Sequence, residues 1–309
     1  MEDACRLAGN AKQLNSSLKM FIKIVISAGL LAWILNRIQL GPLKVLIINS
    51  HWPSLFASFL MVNICMLVSV LKWQPLLTVQ KVQIPFIRLL SFYYVGPFAN
   101  NFLPSSIGGD AMRIYDAARS SGKTKEAAAS VIVERLLASL ALALTAAIAL
   151  ALVSGTGGNG IVSWLVGGIL AFCLAVTAIL LCSTSKEDSK IGQWLCCLGN
   201  YKEHPGVLVK VLMLSFLFQF VLVLSNVFIF RAIGADIPLL KHFLFIPVIM
   251  AVSMLPLSIN GLGIREGMYV LLYGFAGINP ATALAGSLLF FTLVTVTSLA
   301  GGVIFALRK

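Results

Sequence analysis

Two eleven-residue segments carry the same set of residues able to hold an anion. Leu103-Pro104-Ser105-Ser106-Ile107-Gly108-Gly109-Asp110-Ala111-Met112-Arg113 and Leu255-Pro256-Leu257-Ser258-Ile259-Asn260-Gly261-Leu262-Gly263-Ile264-Arg265 share six identities, 152 residues apart. In each, proline stops an incoming helix, and the serine and glycines leave backbone N–H groups free at a turn. Such a concave array attracts an anion, and the arginine that follows adds a fixed charge with a planar fork suited to phosphate or carboxylate. The expected binding residues are Asn101, Pro104, Ser106, Gly108, Gly109 and Arg113 in the first copy. In the second they are Pro256, Ser258, Gly261, Gly263 and Arg265. A plainer role is also open, in which Pro and Gly only shape a turn while the two arginines reach to lipid headgroups.

Three acids belong to the same neighbourhood. Asp110 lies three residues before Arg113 and Glu266 directly follows Arg265, so each can neutralise its arginine or hold a proton, ion pairing being favoured. Glu134 and Arg135 sit together inside a long apolar stretch, where two ionisable groups must face the protein interior or a wet cavity. Adjacent helical residues point about 100° apart, so the two do not face each other. Each therefore pairs with another element, and Asp110 is the expected partner of Arg135. Removing Arg135 should then strand a buried carboxylate, at about 3–5 kcal/mol. Arg113 and Arg265 are expected to face a wet cavity, free of packing duties.

The elements that must hold these residues are membrane helices. Of 309 residues 59% are hydrophobic and 11% charged, against roughly a quarter charged in a soluble domain. Net charge is +12, but the basic residues occur singly rather than on one face, which excludes nucleic acid and points to anionic lipid. Six apolar stretches approach the roughly 20 residues that a spanning helix needs: 20–36, 52–71, 127–153, 161–182, 207–230 and 281–307. The first follows Lys12, Lys19 and Lys23 and lacks a cleavage site, so it reads as a retained helix. Segments 84–104 and 242–260 are broken by Pro97 and Pro104 and by Pro247 and Pro256, as in hairpins that enter the membrane and turn back, with 267–278 returning the second. Seventeen Lys and Arg fall on one side and five on the other (Arg37, Lys44, Arg231, Lys241, Arg265), which puts both termini in the cytoplasm of a multi-pass inner-membrane protein.

The expected fold is thus an all-α polytopic membrane protein, a single domain over 1–309 with about six spanning helices and two opposed re-entrant hairpins. Repeat 1 covers about 18–153 and repeat 2 about 161–307, inverted by the odd number of helices between the two motifs. Inverted repeats with broken helices are the architecture of secondary transporters, because exchanging the conformations of the halves opens a central site to each side in turn. A lipid flippase, a transporter of a small soluble anion and a non-transporting partner of an envelope enzyme all remain open. Proton coupling through the acids is a further possibility. An enzyme is not expected: the chain has no HExxH and no Ser/His pair, and its three histidines (His51, His204, His242) lie apart. The six cysteines form no CxxC, and Cys196, Cys197 and His204 share a loop without a fourth ligand, so no metal or other cofactor is expected.

At these motifs the chain resembles the flippase-like transmembrane family named after the membrane region of lysylphosphatidylglycerol synthase. The features are Asn101, Pro104, Gly108, Gly109 and Arg113, then Glu134-Arg135 in the following helix, then Pro256, Ser258, Gly261, Gly263, Arg265 and Glu266. The resemblance implies movement of lipids across the cytoplasmic membrane, typically aminoacylated phosphatidylglycerol or another lipid-linked headgroup. The synthase's soluble domain has no counterpart after Lys309, so aminoacyl transfer is not implied.

Overall fold

The computed structural model describes residues 45–102, 108–153, 160–182, 199–255, 258 and 260–307, with side chains except at 101–102 and 176–182. The described elements in chain order are α1 (Trp52–Val79), α2 (Phe86–Phe102), α3 (Gly108–Ser121), α4 (Thr124–Val153), α5 (Gly160–Cys182), α6 (Pro205–Ala232), α7 (Leu239–Ser253), α8 (Ile264–Gly274) and α9 (Pro280–Leu307). Among the described residues α1, α4, α6 and α9 are long and apolar enough to cross a membrane, consistent with a polytopic membrane protein.

Local signals start these helices. Pro53 and Pro205 occupy first-turn positions of α1 and α6, where no amide hydrogen is needed. Asn279 Oδ1 accepts the Ala281 N–H at 2.8 Å and so caps the start of α9. The four long helices contain the expected spans 52–71, 127–153, 207–230 and 281–307, each extended at one or both ends. The expected span ends at Leu71 with Lys72 on the cytoplasmic side, yet α1 runs through Lys72, which is 3% exposed inside the bundle. The expected span 161–182 corresponds to α5, while 20–36 and the 183–198 loop lie outside the described residues.

In segments 84–104 and 242–260 the first proline of each expected pair does not break the helix, and Pro104 and Pro256 lie outside the described residues. Pro97 and Pro247 lie inside α2 and α7 without ending them. Neighbouring helices supply the packing that lets a membrane helix tolerate a proline's missing hydrogen bond. α2 runs to Phe102 and α7 to Ser253, and each is followed by a second helix packed on it, α3 on α2 and α8 on α7. The polar stretch Asp116–Glu126 splits between the end of α3, a left-handed turn at Gly122 (φ 71°) and the start of α4.

Helix packing follows a repeated plan. α1 lies along α6 in the most extensive interface of the bundle, and α2 packs on α9 as α7 packs on α4. The pairs α1–α2, α2–α3, α3–α4 and α1–α4 are matched by α6–α7, α7–α8, α8–α9 and α6–α9. Exchanging α1–α4 with α6–α9 therefore leaves these neighbour relations unchanged. The α2–α9 contact depends on two glycines: a Cβ at Gly301 would fall on the Tyr94 carbonyl, and one at Gly302 within 2.5 Å of the Phe98 ring. Gly301→Ala should cost about 1–3 kcal/mol by overpacking, despite alanine's better helix propensity. Unfolding in detergent would read this as a lowered melting temperature.

Candidate functional site

The chemistry of the first motif is placed by a close helix crossing. A Cβ on Gly109 would lie 2.6 Å from the Gly96 carbonyl oxygen, so α3 begins flush against α2 only because position 109 is glycine. The Gly109 N–H donates to Asn100 Oδ1 at 2.6 Å, and Gly108 and Gly109 are both buried. This seat turns Asp110 and Arg113, one helical turn apart, toward α4.

There they meet Glu134 and Arg135. Arg113, 3% exposed, donates from Nη2 to Asp110 Oδ1 at 2.5 Å and from Nη1 to Glu134 Oε2 at 3.0 Å. Arg135 grips Asp110 with both limbs, Nε to Oδ2 and Nη2 to Oδ1, each at 2.7 Å. The expected Arg135–Asp110 pairing is therefore present, and Glu134 turns to other partners as the 100° offset requires. Its other oxygen, Oε1, lies 3.5 Å from Lys72 Nζ of α1. Aromatic faces cover the cations: the Arg113 guanidinium is 4.2 Å from the Tyr93 ring centre, and Lys72 Nζ is 4.5 Å from that of Phe218.

Three cations and two carboxylates give this cluster a net charge of +1. Lys72, Arg113, Glu134 and Arg135 line one cavity of about 300 Å³, walled also by Tyr93, Pro97, Gln219, Met250, Met254 and Phe290. An apolar cleft of about 490 Å³ between α4, α5 and α7, lined by Trp164, Phe172 and Leu255 among others, shares Ser139, Leu142 and Met254 with it. A polar chamber thus adjoins an oily one.

The second motif is neutral. Arg265 donates from Nη2 to Glu266 Oε1 at 2.5 Å and from Nε to the same oxygen at 3.1 Å, with Phe291 4.7 Å below its guanidinium. The Glu266 carboxylate also accepts the Gly263 N–H at 2.6 Å and the Ser287 hydroxyl at 3.3 Å, so it caps α8 as well as pairing Arg265. The turn before α8 is left-handed at Asn260 (φ 49°), Gly261 (75°) and Gly263 (82°), which explains two of its glycines. Ser258 is buried, its hydroxyl without a partner among the described residues. Arg265 does not line the charged cavity, so the two motif arginines are not brought together there. Pro104, Ser106, Pro256 and the side chain of Asn101 lie outside the described residues, as do Cys196 and Cys197.

Residues 20–302, which include both motifs and the charge cluster between α3 and α4, match the family model for the lysylphosphatidylglycerol synthase TM region. The chain belongs to this family. It is similar to a UPF0104 membrane protein of Pyrococcus horikoshii, 23% identical over 313 residues that cover 88% of this chain and 92% of that protein. A UPF0104 membrane protein of Methanothermobacter thermautotrophicus is 24% identical over 253 residues, 70% of this chain and 74% of that one.

In this member of the synthase TM-region family, sequence reading misses Lys72 and Gln219. Lys72 has a signal, a lysine inside a run that stays apolar up to Leu71 and resumes at Trp73, but a hydropathy boundary assigns it to the membrane rim. Gln219 is a single neutral amide among apolar residues and gives none. The expectation that Arg113 and Arg265 are free of packing duties is corrected, for both are buried and ion-paired, Arg113 on the cavity wall and Arg265 off it. Arg135 changes in the other direction. Half of its side-chain surface (49%) is open and Asp110 keeps Arg113 as a partner, so Arg135→Leu strands no carboxylate and should cost less than the expected ~3–5 kcal/mol. Chemical unfolding of the purified variant would check this.

Proposed function

We propose that the protein moves a phospholipid or lipid-linked anion across the membrane, without changing it chemically. The observation that carries this reading is the shared wall of Ser139, Leu142 and Met254 between the net-positive cavity and the apolar cleft. An amphipathic lipid needs this pair of environments side by side: fixed cations and hydrogen-bond donors for a phosphate, and an oily slot beside them for acyl chains. A soluble anion would need no such cleft.

Movement by alternating access is supported by the exchangeable packing of α1–α4 and α6–α9, each half carrying one copy of the motif between its two short helices. The helix pairs α2–α3 and α7–α8 would act as hairpins opening from the cytoplasm and the exterior respectively. With both termini cytoplasmic, cysteines introduced at 231–241 should label from outside and those at 199–204 should not. External labelling of 199–204 would reverse this topology.

Native mass spectrometry of the protein released from membrane nanodiscs tests the ligand class. A co-purified anionic lipid is the expected result. Retention of only zwitterionic lipid, or of a soluble phosphate that washes out the lipid, would remove the lipid-transport reading.

A further inference from the structure

Lys72 is the odd member of the charged cluster. It is 3% exposed, lines the cavity from α1, and its 3.5 Å contact with Glu134 is the longest of the cluster's ion pairs. The other two cations, Arg113 and Arg135, are arginines, which keep their charge at any pH that a cell meets. The carboxylates are no place for a mobile proton. Asp110 is held by Arg113 and Arg135, and Glu134 by Arg113 and Lys72, so protonating either would raise the cluster from +1 to +2. Glu266, paired with Arg265 and accepting the Gly263 N–H, is occupied in the same way. Releasing the lysine proton instead brings the cluster to zero, and lysine is the cation here that can lose its charge when buried. Lining the cavity with it are Tyr93 of α2, Arg113 of α3, Glu134 and Arg135 of α4 and, on α1 itself, Cys65. From α6 come Phe218, its ring centre 4.5 Å from Nζ, and Gln219; from α7 Met250 and Met254; from α9 Phe290 and Val294, none of which titrates. Tyr93 and Cys65 could offset the charge only by ionising within an apolar wall.

Resting on the lipid-transport reading, we propose that Lys72 is a proton site coupled to the cargo: the cavity takes up one proton on Lys72 as the anion enters and gives it up as the anion leaves. The charges balance at each stage. With the cavity empty and Lys72 an amine, Glu134 keeps Arg113 and the cluster is neutral. A proton from water then adds to the amine, the cluster becomes +1, and a singly negative headgroup brings it back to zero. Anion and proton favour each other's binding by the same factor, as linkage requires. Delivered together they form a neutral load, so the membrane potential does no work on the transfer, and a pH difference drives it instead.

The test uses the full chain in sealed phosphatidylcholine vesicles with trace fluorescent phosphatidylglycerol, whose phosphodiester stays a monoanion around neutral pH. The vesicles receive either a pH difference of about one unit or a valinomycin–potassium potential of about 60 mV, the tenfold equivalent for one charge. The leaflet distribution is read at steady state against protein-free vesicles. With one proton per lipid, the wild type should enrich the lipid about tenfold in the leaflet facing the alkaline side, and the potential alone should leave it even. Lys72→Arg fixes the charge and should reverse both responses, with no effect of pH and about tenfold enrichment on the positive side. Wild-type lipid that follows the potential and ignores pH would overturn the coupling. So would a Lys72→Arg protein that still follows pH, since the proton would then sit elsewhere. Should Lys72→Arg not fold, Lys72→Gln replaces it, with the same loss of the pH response expected. Distribution set by voltage alone removes only the proton site, whereas no protein-dependent movement under any gradient removes the transport reading itself.

Discussion

Glu134→Leu should lower the stability of the purified protein by about 3–5 kcal/mol, the scale for removing one partner from a buried ion pair. Among the described residues Glu134 is the one carboxylate paired with Lys72 Nζ and one of two holding Arg113, and its side chain is only 5% exposed. Its loss leaves Lys72 in the bundle interior without a counter-charge and raises the cluster from +1 to +2. The double variant Lys72→Met, Glu134→Leu removes both members and returns the net charge to +1, with Asp110 still joining Arg113 and Arg135. It should recover part of the lost stability, so a double-mutant cycle in detergent unfolding would show favourable coupling between the two positions. Purely additive losses would mean that the Lys72–Glu134 contact carries no energy.

Arg113→Gln should separate function from folding. Without Arg113, Glu134 keeps Lys72 and Asp110 keeps both limbs of Arg135, so no carboxylate is stranded. The stability loss should therefore be well below that of Glu134→Leu. The charge balance, however, falls from +1 to zero, and the planar fork between Tyr93 and Trp73 is gone. Binding of an anionic headgroup should weaken roughly ten- to hundredfold, the range for one charge-assisted hydrogen bond. Arg113→Lys keeps the charge but not the fork and should fall between. Arg265→Gln should affect anionic headgroups less, since Arg265 is already neutralised by Glu266 and lies off the cavity wall.

What could be read in the sequence was whatever depends on spacing and charge in an apolar chain. The second copy of the motif marked the turn before α8 because left-handed glycines are a backbone requirement, as Gly261 and Gly263 show. The Arg135–Asp110 and Arg265–Glu266 pairs were legible because an unpaired charge at that depth is too costly to leave alone. What tertiary packing decides was not legible. Pro97 reads as a break but lies within α2, because the surrounding helices keep α2 intact. Lys72 reads as the end of a span but is the counter-ion of a glutamate 62 positions away. Nor does the motif repeat reveal that its two copies differ electrostatically: that depends on Lys72, Asp110, Glu134 and Arg135, whose counterparts at the same 152-residue offset are Leu224, Leu262, Gly286 and Ser287. Gly286 instead packs against the Phe230 ring, part of an aromatic cluster with His242, Tyr269 and Tyr273.

Translocation of a fluorescent anionic phospholipid in sealed vesicles, compared between the wild type and Arg113→Gln at equal protein incorporation, tests the charged cavity as a headgroup site most directly. The expected result is protein-dependent movement by the wild type, slowed at least tenfold in the variant at subsaturating lipid, with a zwitterionic lipid affected less. Equal rates for the two folded proteins would contradict it, and would leave Arg113 as a structural ion-pair residue of the α3–α4 junction.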